Sequence, residues 1–334
     1  MEMIVDNVNE AFSEIFWKFK HLGQSAGGYK KYETRNGHAL VYPGIFTTIY
    51  RDPEERVLFH EGRDANPVFH LMESIWMLAG RNDVSFVGQF NRQIKNYSDD
   101  GKIFNAAYGH RWRKFFGLDQ ITESIKHLKL YPHSRQVVIQ MWDPNDLNKN
   151  TIDKACNTQL IFDTRGDKLN MTVFNRSNDV WWGAYGANAV HFTFLQELIS
   201  HALGLSMGVY TQISNNFHLY TDLYGDIYKY IDNPPNHKEY DYYLKGEVTP
   251  LPIMENNDYE GFLKECELFC EDPYKNMKYK HSFFTNTARP MALIYKERRD
   301  MHAKTGGSDG LSLIPDIEAS DWRKALENWI VRRK

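Results

Sequence analysis

The sequence is poor in cysteine. Its 334 residues contain only three, Cys156, Cys266 and Cys270. An odd and sparse set cannot build the disulfide framework of a small secreted protein, so we expect a protein of the reducing cytoplasm. Cys266 and Cys270 lie one helical turn apart with no histidine near them in the chain, which favours packing over metal ligation. We therefore predict no metal site.

Long apolar runs and an excess of positive charge are also missing. No apolar stretch reaches the ~18 residues that a membrane-spanning helix needs, and the acidic, amphipathic amino-terminal segment does not resemble a signal peptide. The formal net charge is -3, from 40 Lys and Arg against 43 Asp and Glu. Proteins that bind duplex nucleic acid normally carry a basic surface. We therefore expect neither a membrane nor a nucleic acid as a partner.

The sequence does contain enough apolar residues for a sizeable core. Hydrophobic residues make up 42% of the chain, which is enough for one large domain. Apolar periodicity predicts helices over 7–22, 68–80, 118–130, 191–203, 259–270 and 321–331. It predicts strands over 38–42, 56–59, 137–142, 158–163, 169–175 and 209–214. Such a mixture is typical of the α/β class but does not single out one fold.

The most informative stretch is a predicted hairpin with reactive side chains at its open end. Cys156 precedes its first strand, and Arg176, Ser177 and Asp179 follow its second. Asn188 comes nine residues after Asp179. Because a hairpin brings its two ends together, a thiol, a cation, a hydroxyl, a carboxylate and an amide can converge on one bound anion.

A longer combination of residues extends this hairpin into a recognisable signature. Its members, in chain order, are Cys156, Arg176-Ser177-x-Asp179, Asn188 and His218-x-Tyr220. This order and spacing resembles the core of the thymidylate synthase superfamily, which includes the pyrimidine-nucleotide hydroxymethylases. The resemblance runs from about Arg35 to Tyr220. It implies a large mixed β-sheet packed against helices, and a dimer formed sheet to sheet.

The carboxy-terminal third departs from that family. Beyond Asn233 the composition changes to a Pro-Pro pair and a segment rich in Lys, Tyr and Asp. We expect a single domain over residues 1–334, of which 234–334 is a divergent portion. Nothing in it matches the short apolar tail that closes over folate in thymidylate synthases.

The resemblance implies a nucleotide site. The residues it assigns to the substrate phosphate are Arg35, Arg135, Arg176 and Ser177. Arg135 would reach across a homodimer interface into the partner's site, and Gln136 stands where the family has a second arginine. His218 and Tyr220 would hold the sugar 3′-hydroxyl. A solvated loop arginine remains the alternative for Arg35, and a structural histidine remains the alternative for His218.

Two further segments resemble catalytic parts of the family. Glu73 lies among apolar residues of a predicted helix, where a carboxylate is costly without partners or a task. The family has a catalytic glutamate followed by a tryptophan here, which implies Glu73 and a folate contact at Trp76. Asp179 would be the second folate contact. Tyr108 lies in a segment similar to one that orders water in the family; a core tyrosine is its alternative.

Asn188 bears on the choice of base. A carboxamide offers a donor and an acceptor to the N3/O4 edge of uracil, whereas cytosine presents the opposite pair. The hydroxymethylases that take deoxycytidylate resemble this chain but carry aspartate there, so Asn188 favours dUMP. The interval from Arg176 to Asn188 is longer by a residue than in the family.

The implied reaction is folate-dependent carbon transfer to the pyrimidine C5. A thiolate at Cys156 adds to C6 and makes C5 nucleophilic. A free thiol has a pKa near ~8.5, so nearby cations such as Arg135 and Arg176 favour the thiolate. The carbon donor implied is 5,10-methylenetetrahydrofolate, with Glu73 mediating loss of the C5 proton.

The product depends on what attacks the transferred carbon. Hydride from the folate gives a methyl group and benefits from a dry site, whereas water gives a hydroxymethyl group. The segment Phe86–Phe104 lacks the tryptophans of the methyl-forming enzymes. That absence and the unmatched tail favour 5-hydroxymethyl-dUMP. The alternatives are a thymidylate synthase making dTMP and dihydrofolate, a (d)CMP hydroxymethylase, a hydrolase using Cys156 and His218, and a catalytically silent nucleotide-binding protein.

Overall fold

The computed structural model describes residues 1–23, 28–304 and 307–333. The strands in these ranges are β1 (Glu2–Val5), β2 (Lys30–Thr34), β3 (Gly37–Val41), β4 (Phe46–Tyr50), β5 (Val138–Gln140), β6 (Asn157–Arg165), β7 (Lys168–Asp179) and β8 (Ser206–Tyr220). The α-helices are α1 (Val8–Gly23), α2 (Pro67–Leu78), α3 (Val84–Val87), α4 (Tyr108–His110), α5 (Gln120–Leu130), α6 (Asn188–Leu203), α7 (Tyr228–Asp232), α8 (Tyr259–Glu271), α9 (Arg289–His302) and α10 (Ser320–Val331). Segments of π-helix occupy Arg111–Phe115, Val180–Ala187 and Phe284–Ala288.

All the described strands belong to one mixed sheet. Its order is β1-β4-β8-β7-β6-β5, and the β2–β3 hairpin joins the far end of β8 through β3. The β1–β4 and β7–β8 pairs are parallel and the others are antiparallel. The long strand β8 is the centre, because it pairs with β7 along one edge and with β4 and β3 along the other.

Alternation along the strands separates the two faces of the sheet. One face is buried and includes Leu160, Met171, Val173 and Tyr210, each 0% exposed. The helix α6, buried over most of its length, packs against β7, β8 and α2. The other face carries partly exposed side chains, which are Ile49, Ile161, Phe174 and Ile213. This is the large mixed sheet packed against helices that the family resemblance implied.

The carboxy-terminal helices share the same core. The hydrophobic cluster is continuous from the amino-terminal helix to α8, α9 and α10, through residues such as Phe262, Ile294 and Trp322. Cys266 and Cys270 both lie in α8 and are 0% and 3% exposed. Their burial agrees with the predicted packing role. Among the described helices, none combines the length and the apolar character needed to cross a bilayer.

Most predicted elements are present, and one is wrong. The six predicted helices correspond to α1, α2, α5, α6, α8 and α10, and five of the predicted strands to β3, β5, β6, β7 and β8. The predicted strand over 56–59 lies outside the strands of the described residues. Its backbone bonds to side chains instead: the N–H of Phe59 donates to Asn9 Oδ1 at 2.9 Å, and the carbonyl of Val57 accepts from Asn9 Nδ2 at 3.1 Å. Helices α3, α4, α7 and α9 and strands β1, β2 and β4 were not predicted.

Candidate active site

The thiol of Cys156 lies beside the guanidinium of Arg176. Cys156 immediately precedes β6, and the backbone N–H of Arg176 in β7 donates to the Cys156 carbonyl at 2.9 Å. Arg176 Nε and Nη2 donate to the carbonyls of Ala155 and Lys154 at 2.8 and 3.0 Å. These bonds hold Nη2 at 4.0 Å from the Cys156 Sγ. The predicted hairpin therefore does bring its thiol and its cation together.

Charges around the thiol act in opposite directions. Burial raises the pKa of Cys156, the nearby Arg176 lowers it, Asp153 raises it and Arg35 lowers it, and the net shift is upward. Arg176 thus favours the thiolate, as predicted, and Arg35 also does so, but in the protein alone desolvation outweighs them. Arg135 is exposed and forms no hydrogen bond or ion pair within the described ranges. The sequence predicted Arg135 as the other cation beside the thiol, and it is not among the charges with the largest effects on the pKa of Cys156.

Arg35 reaches the site from a distant part of the sequence. It lies in the turn between β2 and β3, and β3 pairs with the end of β8, where Ala39 is opposite Tyr220. The Arg35 Nη1 donates to the carbonyl of Ile152 at 3.0 Å, in the loop that leads to Cys156. Its side chain remains exposed. The turn arginine that the sequence singled out therefore faces the thiol's neighbourhood and is free to bind an anion.

Asp179 and His218 are opposite each other across the parallel β7–β8 pair. The His218 ring lies edge-on to Tyr220, with ring centroids 4.9 Å apart. Asp179 Oδ2 accepts from the Trp182 N–H at 2.7 Å and from the Tyr224 hydroxyl at 2.8 Å. Asp179 Oδ1 is buried and has no partner in the described structure. Burial raises the pKa of this carboxyl group, and His218 is the largest opposing influence.

Asn188 is placed by the π-helical segment that precedes α6. In this segment Tyr185 departs from helical geometry, with φ -111° and ψ 27°. A π-helical turn takes up an additional residue within a helical segment, which accommodates the longer interval from Arg176 to Asn188. Asn188 is 8% exposed and donates from Nδ2 to Asn178 Oδ1 at 3.1 Å. Its own Oδ1 makes no hydrogen bond within the described ranges.

Other predicted catalytic residues pack around the first turn of α6. Positions three and four residues apart share a helix face, so His191 and Phe192 follow Asn188 on one side. The Glu73 Oε2 lies 3.1 Å from His191 Nε2. The Tyr108 ring stacks on Phe192 with centroids 5.9 Å apart. Burial raises the pKa of Tyr108, the Cys156 thiolate adds to that shift, and Arg176 opposes it.

Trp76 and Ser177 are less closely tied to the site. Trp76 is 2% exposed, its Nε1 donates to the Asp83 carbonyl at 3.1 Å, and its ring packs edge-on against Phe104. This burial favours a core role over contact with a bound molecule. Ser177 is partly exposed next to Arg176, and its hydroxyl makes no hydrogen bond within the described residues.

The sequence did not single out Asp153, Asn178 or His191. Asp153 lies outside every predicted helix and strand, yet its Oδ2 accepts from the Ala106 N–H at 2.9 Å and its charge raises the pKa of Cys156. His191 could have been found, because it is a histidine one turn after Asn188, at the first position of a predicted helix. Asn178 carried no signal beyond its place between Ser177 and Asp179.

The comparisons with known proteins agree with this geometry. The family model for thymidylate synthase matches residues 63–258. The chain belongs to the thymidylate synthase family. Its relatives within the family include a deoxyuridylate hydroxymethyltransferase of Pseudomonas phage M6, 40% identical over 98% of this chain and 93% of that protein.

More distant relatives carry both family activities. A deoxyuridylate hydroxymethyltransferase of Bacillus phage SP01 is 39% identical over 69% of this chain and 59% of that protein. A thymidylate synthase of Symbiobacterium thermophilum is 25% identical over 63% of this chain and 73% of that protein. The family resemblance that the signature from Cys156 to Tyr220 indicated is thereby confirmed.

The folate expected for this family can be tested against the residues present. A pterin ring carries N–H donors, and Asp179 Oδ1 is a buried acceptor with nothing to accept from. The aromatic residues Trp181 and Trp182 come two and three residues after Asp179, and Trp182 lies under the guanidinium of Arg63. These residues fit the group. Within the described ranges, no cluster of His, Cys, Asp and Glu has the arrangement of a metal site.

Proposed function

We propose that this protein converts dUMP, 5,10-methylenetetrahydrofolate and water into 5-hydroxymethyl-dUMP and tetrahydrofolate. The observation that carries the proposal is the 40% identity, over 98% of this chain, to a protein named deoxyuridylate hydroxymethyltransferase. The thiol of Cys156 at 4.0 Å from Arg176 supports the chemistry. The reaction involves no net oxidation, because the carbon is transferred and then hydrated.

The substrate is held by residues from three parts of the sheet. We assign the phosphate to Arg35, Arg176 and Ser177, since both arginines are exposed near Cys156. Guanidinium groups suit this task because their planar donors match phosphate oxygens. His218 and Tyr220, at the end of β8, hold the sugar hydroxyl. Asn188 reads the base edge with its free Oδ1 and its Nδ2.

Catalysis begins when the Cys156 thiolate adds to C6 of the uracil ring. The electron pair of the C5–C6 bond moves toward O4, and C5 becomes a nucleophile. Arg176 stabilises the thiolate, and a neutral Tyr108 orients water near it. When bound, the folate supplies a one-carbon unit at the methylene level, and Asp179 holds it through Oδ1.

Proton transfer and hydration complete the turnover. Once C5 carries the new carbon, Glu73 removes the C5 proton, with the His191 ring beside its carboxylate. The electron pair left at C5 forms a double bond to the exocyclic carbon, and the bond between that carbon and the folate nitrogen breaks, so that tetrahydrofolate leaves. Water then adds its oxygen to the exocyclic carbon and gives up a proton. The returning electron pair restores the C5–C6 double bond and expels the Cys156 thiolate from C6.

The product decides between the family's two activities. Purified protein is incubated with dUMP tritiated at C5 and with methylenetetrahydrofolate, and the nucleotide is analysed by mass spectrometry. We expect tritium release, a gain of one formaldehyde equivalent and tetrahydrofolate as co-product. A gain of a methylene unit with dihydrofolate identifies a thymidylate synthase instead. Absence of tritium release from dUMP refutes both, and the same assay with dCMP tritiated at C5 then separates a (d)CMP hydroxymethylase from a catalytically silent nucleotide-binding protein. A hydrolase is disfavoured because no hydrogen bond joins Cys156 to His218 in the described structure.

We propose that the active form is a homodimer in which Arg135 contacts the phosphate in the partner's site. The partly exposed side chains on one sheet face and the unpaired state of Arg135 within the described ranges support this. Mixing Cys156→Ser protein with Arg135→Gln protein, each weak alone, is expected to restore activity. In a mixed dimer, one site has an intact thiol and receives Arg135 from the partner. No restoration after subunit exchange contradicts the shared site.

A further inference from the structure

A chain of buried side-chain amides runs from the base-reading residue to the backbone. Asn188 Nδ2 donates to Asn178 Oδ1 at 3.1 Å, and Asn178 Nδ2 donates to Gln212 Oε1 at 3.0 Å. Gln212 Nε2 in turn donates to the carbonyl of Ala184 at 3.3 Å. Asn178 and Gln212 are 2% and 1% exposed, so water does not compete for these bonds.

The Ala184 carbonyl fixes the direction of every bond in this chain. A main-chain carbonyl can only accept, so Gln212 must turn its NH2 group toward it and its Oε1 toward Asn178. Asn178 must then offer its NH2 group to Gln212 and its Oδ1 to Asn188. Asn188 is left with a single orientation, with Nδ2 toward Asn178. Turning any one amide over would set two oxygens or two NH2 groups against each other.

The π-helical segment supplies that carbonyl. In an α-helix the carbonyl of Ala184 would accept from the N–H four residues later, which belongs to Asn188. Here the Asn188 N–H bonds to the Gly183 carbonyl, five residues back. The Ala184 carbonyl is therefore available to Gln212. Gly183 also makes room, since a Cβ there would lie 2.8 Å from Asn178 Oδ1 and 3.4 Å from Asn188 Nδ2.

The single orientation of the Asn188 amide has a direct consequence for base choice. With Nδ2 fixed, Asn188 accepts from the uracil N3–H through Oδ1 and gives its second N–H to O4. The reversed amide would donate to N3 and accept from an amino group, which is the pattern of cytosine. An asparagine free to turn could therefore read either base.

We propose that Asn178, held by Gln212, is a positioning residue that makes Asn188 selective for uracil over cytosine nucleotides. This inference rests on the proposed function, because it assumes that Asn188 reads the base of a pyrimidine nucleotide. Asn178 touches Asn188 and not the substrate. Its contribution is to selectivity and not to the chemical step.

The test compares kcat/KM for dUMP and dCMP in the wild type and two variants. Asn178→Leu removes the amide that fixes the orientation of Asn188. Gln212→Met removes the amide that fixes the orientation of Asn178, and it leaves Asn178 and Asn188 in place. We expect the dUMP-to-dCMP ratio of kcat/KM to fall by about tenfold to a hundredfold in each variant. The Asn188 amide can then reverse without leaving buried polar groups unpaired. A merely structural role would lower both activities together and leave the ratio unchanged.

Gln196→Met is the matched control. Gln196 lies in helix α6, is 0% exposed, and donates from Nε2 to the Leu169 carbonyl at 2.9 Å, so the same substitution removes an equally buried amide outside this chain of amides. Its ratio should equal that of the wild type. An unchanged ratio in Gln212→Met overturns the inference even if Asn178→Leu does not fold. A wild-type protein without activity on dUMP refutes the proposed function instead, before any variant is measured.

Discussion

Replacing Arg176 by glutamine is expected to raise the pKa of Cys156. The guanidinium Nη2 and the Sγ are 4.0 Å apart. Two unit charges at that distance attract by about 1 kcal/mol in water and about 4 kcal/mol at an effective dielectric constant near 20. Arg176 is exposed, so the lower part of this range applies. Since one pKa unit is about 1.4 kcal/mol, the expected increase is about one to two units.

The pH dependence of alkylation measures this shift without any substrate. Iodoacetamide reacts with the thiolate, so the rate plotted against pH gives the pKa directly. Cys266 and Cys270 are buried, and a Cys156→Ser protein measures any reaction they contribute. At a pH below both pKa values, the variant should react about tenfold to a hundredfold more slowly than the wild type.

A charge-matched control separates the local effect from the net charge. Arg165 lies at the opposite end of β6, its side chain is 79% exposed, and it pairs with Asp163. Arg165→Gln removes the same charge and should leave the pKa of Cys156 unchanged. If Arg176→Gln and Arg165→Gln give the same titration curve, Arg176 does not stabilise the thiolate and the electrostatic part of the mechanism is wrong.

Three more predictions concern the carboxyl groups. Asp179→Asn places an N–H donor where the wild-type Oδ1 acceptor lacks a partner. The KM for methylenetetrahydrofolate should therefore rise at least about tenfold while the Kd for dUMP stays the same. Equal changes in both constants would contradict a folate role for Asp179. Glu73→Gln should lower kcat by about a hundredfold or more with unchanged dUMP affinity, measured by tritium release. Burial raises the pKa of Asp321 from 3.8 to about 6, so its neutral form stabilises the fold. The free energy of unfolding of the wild type should therefore fall by up to about 3 kcal/mol as pH rises from about 4 to about 6. Urea unfolding of Asp321→Asn should show no such fall.

The sequence predicted the parts of the fold that follow from local periodicity. Helices such as α6 and α8 were found because their apolar residues recur at helical spacing. Strands β1 and β4 were missed, although β3 and β5, with five and three residues, are of similar length and were predicted. Strand β1 pairs with β4, and β4 pairs with β8 far away in the chain, so their place in the sheet depends on contacts that are not local. The segment 56–59 has a strand-like composition, but Asn9 takes its hydrogen bonds, and no local pattern reveals that.

The site was predictable to the extent that a motif carried it. Cys156, Arg176 and Arg35 lie together as the resemblance implied. The upward pKa shift of the thiol was not predicted, because desolvation depends on packing that a motif does not describe. His191 and Asn178 were missed for a related reason: each acts by contacting another predicted residue and not through its own place in a pattern.

The central position of β8 has a consequence for synthesis of the protein. Strands β3 and β4, within the first 50 residues, both form their ladders with residues 210–220. As the chain leaves the ribosome, β3 can pair with β2 and β4 with β1, but the edges that face β8 stay open until about two thirds of this sequence has been made. Contacts of such long sequence separation slow folding and leave strand edges exposed. We therefore expect the amino-terminal strands of the nascent chain to need protection from aggregation until β8 has been synthesised.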